Sequence, residues 1–325
     1  MKKIKWGVLA PGTIAKRLAA GLQEIPEAVR YAVGSRDLGR AQAFAEQFGF
    51  EKAYGSYKEL AADPDIDVIY VATPHPQHEE AAVTCLNAGK AVLCEKPFAA
   101  NAKQAARMID CAKQNGVFIM EAMWTRFLPS ICKVRELLSQ GAIGNVQHVY
   151  VNFGFRAPVN PEGRLFNPMA AGGSVMDVGV YNLSLCRMIF KKKPDRIQSH
   201  LVIGETGVDE SASVILNYEG GQSAEMFSAI RVNTSQEATI YGEDGYIKLP
   251  AWWHGDAVIL KNKDGEQEFK LPFESSGFQY EAMEVMKCLE GGLMESSVMP
   301  LCETLEIIGT ADKIRFDNNL RYPFE

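Results

Sequence analysis

Short apolar runs alternate with amphipathic stretches in the first part of the chain. Five near-continuous apolar segments lie at residues 4–9, 29–34, 68–72, 91–94 and 117–120. Such runs are typical of strands that are covered on both faces of a sheet. Between them, apolar residues recur at helical spacing, as at Ala41, Phe44, Ala45 and Phe48 and again at Ala105, Met108, Ile109 and Ala112. Strands that alternate with helices in this way predict βαβ crossovers and a parallel sheet.

The pattern changes near Trp124. Residues 148–156 alternate in polarity, with Val149, Val151, Phe153 and Phe155 on one face. Hairpin signals follow at residues 219–221, 243–245 and 264–265, each between strand-like runs. The second half is therefore predicted to contain a large, mostly antiparallel open sheet, with helices over residues 128–138, 172–189, 278–289 and 301–316.

Composition bounds the class of protein. A chain of 325 residues that is 47% hydrophobic and 23% charged has material for two domains, at about 150 residues per domain. The net charge of −6, without a basic block, argues against nucleic acid as a partner. No apolar run approaches the roughly 18 residues of a membrane span. The basic and then apolar start of the chain resembles a signal peptide, but Pro11, Gly12 and Lys16 interrupt it, which favours a first β-strand.

The seven cysteines form no CxxC pair. Five of them lie in apolar helices or strands, namely Cys85, Cys94, Cys111, Cys186 and Cys288. This pattern predicts reduced, buried thiols in a cytoplasmic protein. No spacing of His, Cys, Asp and Glu indicates a metal site.

A candidate phosphate-binding turn follows the first predicted strand. Residues 10–15 read Ala-Pro-Gly-Thr-Ile-Ala, a degenerate form of the G-x-G-x-x-G/A turn of dinucleotide-binding folds. Gly12 would let the backbone approach a pyrophosphate, and the amides that follow would favour its negative charge. Because Ala10 replaces the first glycine, an ordinary strand–turn–helix is an equal interpretation. The predicted contacts here are Ala10, Gly12, Thr13 and Ile14.

The end of the second strand bears on the choice of cofactor. Ser35 and Arg36 stand where a dinucleotide-binding fold reads the ribose. A guanidinium offers a planar fork of donors to a 2′-phosphate, which favours NADP over NAD. Asp37 would favour NAD, but it also suits the N-cap of the next helix. The predicted architecture is thus α/β, with a dinucleotide-binding Rossmann domain over residues 1–122 and, over residues 123–325, an α+β domain that would hold the substrate.

Two stretches carry candidate chemistry. The first is a buried strand that ends in Glu95 and Lys96, at the sheet edge where ligands of α/β proteins bind. A structural ion pair is the alternative role for these two residues. The second is a predicted helix in which Asp177 and Tyr181 are four residues apart and share one face. A polar pair on such an apolar helix lines a cleft or is satisfied within the core.

Several stretches resemble the glucose–fructose oxidoreductase/inositol dehydrogenase (Gfo/Idh/MocA) family, and most of all its dimeric dihydrodiol dehydrogenase branch. They are AYGSYKEL at residues 53–60, TPHPQH at 73–78, AVLCEKP at 91–97, EAMWTRFLP at 121–129, GGSVMDVGVY at 172–181 and ETGVD at 205–209. Much of the family has His at the position of Tyr181, whereas this branch has Tyr, as here. The branch also lacks the first glycine, which Ala10 replaces.

The resemblance implies a catalytic pair, Lys96 and Tyr181, with Asp177 close by. It also implies a cis Lys96–Pro97 bond and a homodimer formed through the C-terminal sheet. Tyr181 would remove a hydroxyl proton while a hydride passes to the nicotinamide. Free tyrosine has a pKa of about 10. A lysine ammonium about 4 Å away contributes about 4 kcal/mol at an effective dielectric constant of about 20, or about three pH units before desolvation opposes it.

Other residues complete the predicted site. The cofactor set also contains Thr73, Pro74, His78, Glu95 and Lys96. An ordinary place at a helix start is the alternative for His78. The predicted substrate wall contains Trp124, Arg126, Phe155 and Tyr181, with Phe153 and Arg156 as further candidates, although aromatic residues at such spacing are commonly core. Trp252 and Trp253 are interpreted as an exposed patch at a subunit contact.

The sequence therefore predicts an oxidoreductase that moves a hydride between NADP, or alternatively NAD, and a hydroxyl-bearing carbon of a small polyol, sugar or trans-dihydrodiol. Aromatic dihydrodiols, D-xylose and other sugars all suit a pocket with apolar walls and a proton-relay pair. Two alternatives stay open: an NAD-dependent glycosidase of the same family and a non-catalytic NADP-binding sensor. The presence of Lys96, Asp177 and Tyr181 together favours the enzyme.

Overall fold

A computed structural model describes residues 2–325, which form two compact units. The first unit runs up to Trp124 and also contains Glu274–Leu305. The second contains Thr125–Phe273 and Glu306–Glu325. The division predicted from the sequence, after residue 122, lies close to the observed one. The predicted second domain, however, includes residues 274–305, which the structure assigns to the first unit.

The first unit contains a six-stranded parallel sheet with strand order β3-β2-β1-β4-β5-β6. Its strands are β1 (Ile4–Leu9), β2 (Ala28–Gly34), β3 (Lys52–Tyr54), β4 (Val68–Val71), β5 (Ala91–Glu95) and β6 (Ile119–Ala122). The five predicted strands are confirmed. The edge strand β3 has three residues, none of them buried, and it forms no apolar run. The sequence therefore does not predict it.

Helices connect these strands as crossovers. They are α1 (Thr13–Gln23), α2 (Leu38–Phe48), α3 (Tyr57–Ala62), α4 (His78–Asn87) and α5 (Ala102–Asn115). Asn101 caps α5, as predicted, by accepting a hydrogen bond from the amide of Gln104 at 3.0 Å. The apolar faces of α3, α4 and α5 meet the sheet in a core that includes Leu9, Val92 and Met108.

The segment 274–305 belongs to the first unit through close backbone contacts. It contains α8 (Gln279–Glu290) and the start of α9 (Leu301–Asp317). A Cβ atom on Gly21 of α1 would lie 2.7 Å from the amide nitrogen of Gln279, so only glycine allows this approach. The amide of Ile119 donates to the carbonyl of Met294 at 3.3 Å. Periodicity predicts both helices, but it does not reveal which core they cover.

The second unit contains an eight-stranded sheet with strand order β14-β13-β12-β11-β7-β10-β9-β8. Its strands are β7 (Val146–Gly154), β8 (Arg196–Ile203), β9 (Asp209–Asn217), β10 (Ser223–Ala229), β11 (Ala238–Gly242), β12 (Gly245–Leu249), β13 (Ala257–Asn262) and β14 (Gly265–Lys270). All neighbours are antiparallel except β7 and β10. The mostly antiparallel sheet and its three hairpins are confirmed.

The helices of the second unit include α6 (Pro129–Ser139) and α7 (Val180–Phe190). The sequence predicts one helix over residues 172–189. The structure instead has a π-helical turn over Val175–Gly179, which leads directly into α7. Single π-helical turns occur frequently at functional sites.

All seven cysteines are free thiols. Of the five predicted to be buried, Cys111 is partly exposed, because its place on α5 lies outside the apolar face. Residues 2–325 contain no group of three or more His, Cys, Asp or Glu side chains that could hold a metal ion. Within the same residues, every helix is too short or too polar to span a bilayer.

Candidate functional site

The turn between β1 and α1 keeps the backbone of a dinucleotide-binding turn. Ala10 adopts a left-handed conformation with φ of 70°, which glycine takes most readily. Gly12 is the N-cap of α1, and within the described residues no side chain caps that helix. A Cβ atom at Gly12 would have no other atom within 4 Å. Open space therefore lies beside Gly12 at the start of α1, where the amides of Thr13 and Ile14 begin the helix, and this suits a pyrophosphate.

The tip of β2 presents the residues expected at the ribose. Ser35 is buried, and its hydroxyl accepts a hydrogen bond from the amide of Asp37 at 3.2 Å. The Asp37 carboxylate caps α2 by accepting from the amide of Arg40 at 3.1 Å. Arg36 is exposed. Asp37 thus has the capping role considered as its alternative, and Arg36 extends into solvent beside it.

The loop after β4 contains Thr73, Pro74 and His78. The hydroxyl of Thr73 is buried and has no hydrogen-bond partner in the described chain. A buried hydroxyl without a partner is costly and fits a site completed by a ligand. His78 begins α4 and is fully buried; its ring nitrogens lie 2.8 Å from the carbonyl oxygen of Thr73 and 2.9 Å from that of Pro97. His78 therefore links this loop to the turn after β5.

Buried carboxylates hold the turn that presents Lys96. Glu95, the last residue of β5, accepts hydrogen bonds from the Tyr70 hydroxyl and from the amide of Lys96, the latter at 3.0 Å. Lys96 is half-buried, and the Lys96–Pro97 bond is cis, as the resemblance implied. Glu121, on β6, accepts from the amide of Phe98 at 3.2 Å. The turn is thereby held at both ends.

Sequence reasoning did not identify Glu121 as part of this arrangement. Its carboxylate is completely buried and also accepts a hydrogen bond from the hydroxyl of Thr304 at 3.0 Å. The available signal was an acidic residue inside an apolar strand, since a buried charge needs partners.

Another buried carboxyl lies in the same unit. Glu281, on α8, is completely buried, and neither of its carboxyl oxygens has a hydrogen-bond partner within the described chain. Burial raises the pKa of Glu281 well above its ordinary value, and the charge of Glu95 raises it further. The folded protein therefore holds a proton on Glu281 at pH values where the unfolded chain has released it.

Glu281→Gln is expected to become more stable relative to the original protein as the pH rises above about 4.5. Because the folded-state pKa is raised, the original protein loses about 1.4 kcal/mol of unfolding free energy per pH unit between the unfolded and folded pKa values, and glutamine removes this loss. Urea unfolding at several pH values measures the difference. The exposed Glu290 on the same helix supplies a control, Glu290→Gln, for which no such trend is expected. A stability difference independent of pH would contradict the assignment.

In the second unit, Asp177 and Tyr181 lie on the π-helical turn and α7. Both are buried; Tyr181 is 6% exposed. Asp177 accepts a hydrogen bond from Nη1 of Arg164 at 2.6 Å, and the Arg164 side chain is 59% exposed. Asp177 is thus bound to a cation that extends towards solvent.

An aromatic group packs beside Tyr181. The Phe153 ring lies 5.5 Å from the Tyr181 ring and stacks on Trp253, with centroids 4.6 Å apart and planes at 17°. Trp253 also donates from Nε1 to Oε1 of Gln236 at 2.9 Å. We call Phe153, Tyr181 and Trp253 the aromatic wall. Phe153 is a candidate from the sequence, but Trp253 is not, because the pairings of β12 with β11 and of β11 with β7 bring these distant segments together.

The other proposed substrate residues have different surroundings. Phe155 is half-buried just beyond the end of β7. Arg126 is buried and donates to the hydroxyl and the carbonyl oxygen of Ser184 at 2.8 and 3.0 Å, so it supports α7. In the first unit, Trp124 is buried and stacks on Phe278 at 5.1 Å.

The predicted exposed tryptophan patch is wrong. Trp252 is 1% exposed, and its Nε1 donates to the carbonyl oxygen of Asn152 at 3.1 Å. Trp253 is half-buried against Phe153. A turn after a strand indicates exposure only when neighbouring strands leave its side chains uncovered.

Two family models match the chain. Residues 4–123 match the oxidoreductase family with an NAD-binding Rossmann fold, and residues 131–248 match the GFO/IDH/MocA C-terminal domain. The chain therefore belongs to the Gfo/Idh/MocA oxidoreductase family, whose members bind a nicotinamide dinucleotide in the first domain. Its Rossmann sheet and second, mostly antiparallel sheet agree with this membership.

Relatives resemble the chain over nearly its whole length. The trans-1,2-dihydrobenzene-1,2-diol dehydrogenase of Mus musculus is 39% identical and covers 93% of this chain and 92% of its own. The enzyme of that name from Homo sapiens is 37% identical, with 98% of each chain covered.

Solved structures share the fold. The aldose-aldose oxidoreductase of Caulobacter crescentus superposes with a TM-score of 0.90 at 22% identity, and 98% of each chain is covered. A 3-ketoreductase from Actinomadura kijaniata, solved with NADP, superposes at 0.85 with 23% identity, covering 97% of this chain and 98% of its own.

Proposed function

We propose that this protein is an NADP-dependent dehydrogenase that oxidises a hydroxyl-bearing carbon of a cyclic trans-diol, a sugar or a polyol, with Tyr181 as general acid/base. The observation that carries the proposal is the aromatic wall, because a mostly apolar ring can pack on the half-buried Trp253, which is itself stacked on Phe153, while its hydroxyl meets the phenol. The relatives named trans-1,2-dihydrobenzene-1,2-diol dehydrogenases support this substrate class.

The residues around the cofactor turn fit a nicotinamide dinucleotide. The amides that begin α1 would hold the pyrophosphate, and Ser35 and Arg36 would hold the ribose end. Thr73 and Pro74, in the loop beyond β4, would also contact the cofactor. The uncapped helix start and the partnerless Thr73 hydroxyl are the two features that such a group would complete. When bound, it supplies the acceptor or donor of the hydride.

The chain's own groups would move the proton. Tyr181 would take the hydroxyl proton as the carbon gives up its hydride and would return it in the reverse reaction. The Lys96 ammonium would stabilise the phenolate and hydrogen-bond the reacting oxygen. The hydroxyl carbon becomes a carbonyl, so hydride and proton leave the substrate together and no other reactant is required.

A substrate panel tests this proposal. Purified protein is mixed with NADP+ and trans-1,2-dihydrobenzene-1,2-diol, its cis isomer, D-xylose or myo-inositol, and the absorbance of reduced nicotinamide is followed. Reduction with a trans-diol or a sugar is the expected result. Absence of reduction with every alcohol, while NADP+ still binds, would contradict it and leave the sensor function. Release of phenol from an aryl glycoside in the presence of NAD+ would favour the glycosidase.

Arg36→Ala is expected to raise the KM for NADP+ by about 10- to 100-fold and to leave the KM for NAD+ unchanged, because a guanidinium–phosphate interaction contributes about 1.5–3 kcal/mol. Steady-state kinetics with both nucleotides measure the effect. Lys3→Ala is a suitable control, since Lys3 is exposed and precedes β1, at the opposite end of the parallel strands. Equal changes with NADP+ and NAD+ would contradict the proposed preference.

We also propose a homodimer formed through the outer face of the second unit's sheet. Val202 on β8, Ile215 on β9 and Tyr241 on β11 are each more than two-fifths exposed on this sheet. Apolar side chains in such an arrangement mark interaction surfaces. Sedimentation at micromolar concentration is expected to show a species of twice the chain mass, and a monomer under the same conditions would contradict the proposal.

A further inference from the structure

Asp209 is a buried carboxylate that contacts the start of the segment bearing Asp177 and Tyr181. Its Oδ2 accepts hydrogen bonds from the Ser174 hydroxyl and from the amide of Val175, both at 2.7 Å. Asp209 is completely buried at the start of β9, far from Ser174 in sequence. Asp209 therefore caps the start of the π-helical turn from another element, beyond the N-cap residue Ser174, with its charge at the positive end of that turn.

The backbone before the turn is shaped around this carboxylate. Gly173 has φ of 113°, and a Cβ atom there would overlap Oδ1 of Asp209. The Tyr322 hydroxyl donates to the carbonyl oxygen of Gly172 at 2.7 Å. Gly173 thus lets Asp209 approach the amide of Val175.

The capped segment lies closely on the sheet. A Cβ atom on Gly179 would be 3.2 Å from the hydroxyl of Ser228 on β10. The hydroxyls of Ser174 and Ser228 are 3.4 Å apart. A segment packed this closely transmits a shift at its first turn to the residues that follow, among them Tyr181.

We infer that Asp209 is a positioning residue, whose hydrogen bonds to Ser174 and Val175 hold the turn and thereby orient Asp177 and Tyr181. The inference rests on the proposed role of Tyr181. Asp209 is the last residue of the ETGVD stretch, to which the sequence alone assigned no role.

The protonation state of Asp209 makes this role testable. Burial raises the pKa of Asp209 to about 6, while the hydrogen bonds from Ser174 and Val175 and the charge of Arg315 oppose the rise. Of the other ionisable groups, the buried Tyr322 interacts with Asp209, and Arg315 is itself paired with Asp312 and Glu325. Hydrogen bonds to an ionised acceptor are about twice as strong as neutral ones, so the cap weakens as the pH falls through about 6.

The experiment compares kcat as a function of pH for three variants. Asp209→Asn is expected to lower kcat about tenfold at pH 8 and to remove the part of its pH dependence near 6 that comes from this carboxylate, because the amide carries no charge to lose. The dependence on pH that Tyr181 itself causes is expected to remain. Ser174→Ala retains the carboxylate but removes a hydrogen bond that lowers its pKa. In Ser174→Ala, the fall of kcat at low pH is therefore expected to begin at a higher pH than in the original protein. The kcat of this variant at pH 8 is expected to be reduced about threefold. Asp195→Asn, at an exposed position of the same unit, is the control. The KM for NADP+ is expected to stay constant throughout.

The outcomes separate this inference from the proposed function. If Asp209→Asn does not fold, the kcat and pH profile of Ser174→Ala alone test the positioning role, since this variant removes only one hydroxyl and is expected to fold. If Tyr181→Phe loses its activity while both Asp209→Asn and Ser174→Ala keep the original kcat and pH profile, the positioning role is overturned and the proposed function stands. If Tyr181→Phe retains full turnover, the proposed function itself fails.

Discussion

Tyr181→Phe is expected to lower turnover by about 100-fold or more, because it removes the only proton-carrying group of the side chain and leaves the ring in place. The ring packs on Phe153 at 5.5 Å, and phenylalanine keeps that contact. The affinity for NADP+ is therefore expected to stay the same. Single-turnover kinetics report the chemical step, and fluorescence titration with NADPH reports the binding.

Tyr218→Phe is the matched control for this variant. Tyr218 is a buried tyrosine of the same unit, packed on Phe190 with ring centroids 4.2 Å apart, and burial raises the pKa of its hydroxyl. It has no part in the proposed mechanism, so its loss of a hydroxyl is expected to leave turnover unchanged. Equal turnover in the two variants would remove Tyr181 from the mechanism.

Lys96→Met is expected to lower turnover by about 1000-fold at neutral pH and to move the acid limb of the kcat profile upwards by as much as about three pH units. Methionine retains the length of the side chain but not the ammonium that lowers the pKa of the phenol in the proposed mechanism. The profile is measured between pH 6 and pH 10 with saturating substrate and cofactor.

Added methylamine provides a second measurement for Lys96→Met. A small ammonium ion that enters the vacated space is expected to restore part of the turnover in a concentration-dependent manner. Lys103→Met, at an exposed position on α5, is the control and is expected to behave as the original protein does. An unchanged acid limb in Lys96→Met would show that the ammonium does not tune the proton-transferring group.

Much of the local structure could be predicted from the sequence. Apolar runs predict the buried strands β1 and β5, and turn residues predict the hairpins of the second sheet. The half-exposed strand β3 has no such run and is recognised only by its pairing with β2. The π-helical turn before α7 shares the apolar pattern of an α-helix, so the sequence does not distinguish the two.

The residues of the candidate site also fall into two groups, those that the sequence predicts and those that only the fold reveals. Lys96 and Tyr181 stand out by chemical type and by their family motifs. Trp253 does not, because its contact with Phe153 depends on strands that are distant in sequence. Asp209 and Glu281 resemble ordinary surface acids until the fold buries them, whereas Glu121 is distinguished by its place in an apolar strand.

The sequence by itself determined the type of most elements, the two kinds of sheet and the residues able to carry a proton or bind a phosphate, since these depend on neighbouring positions and local turn chemistry. The tertiary structure alone decided that residues 274–305 join the first unit, that Trp253 completes an aromatic wall and that Asp209 caps a turn 34 residues before it. An apolar face specifies that it must be covered but not by what, and a carboxylate gains its role only from the donors that long-range packing brings to it.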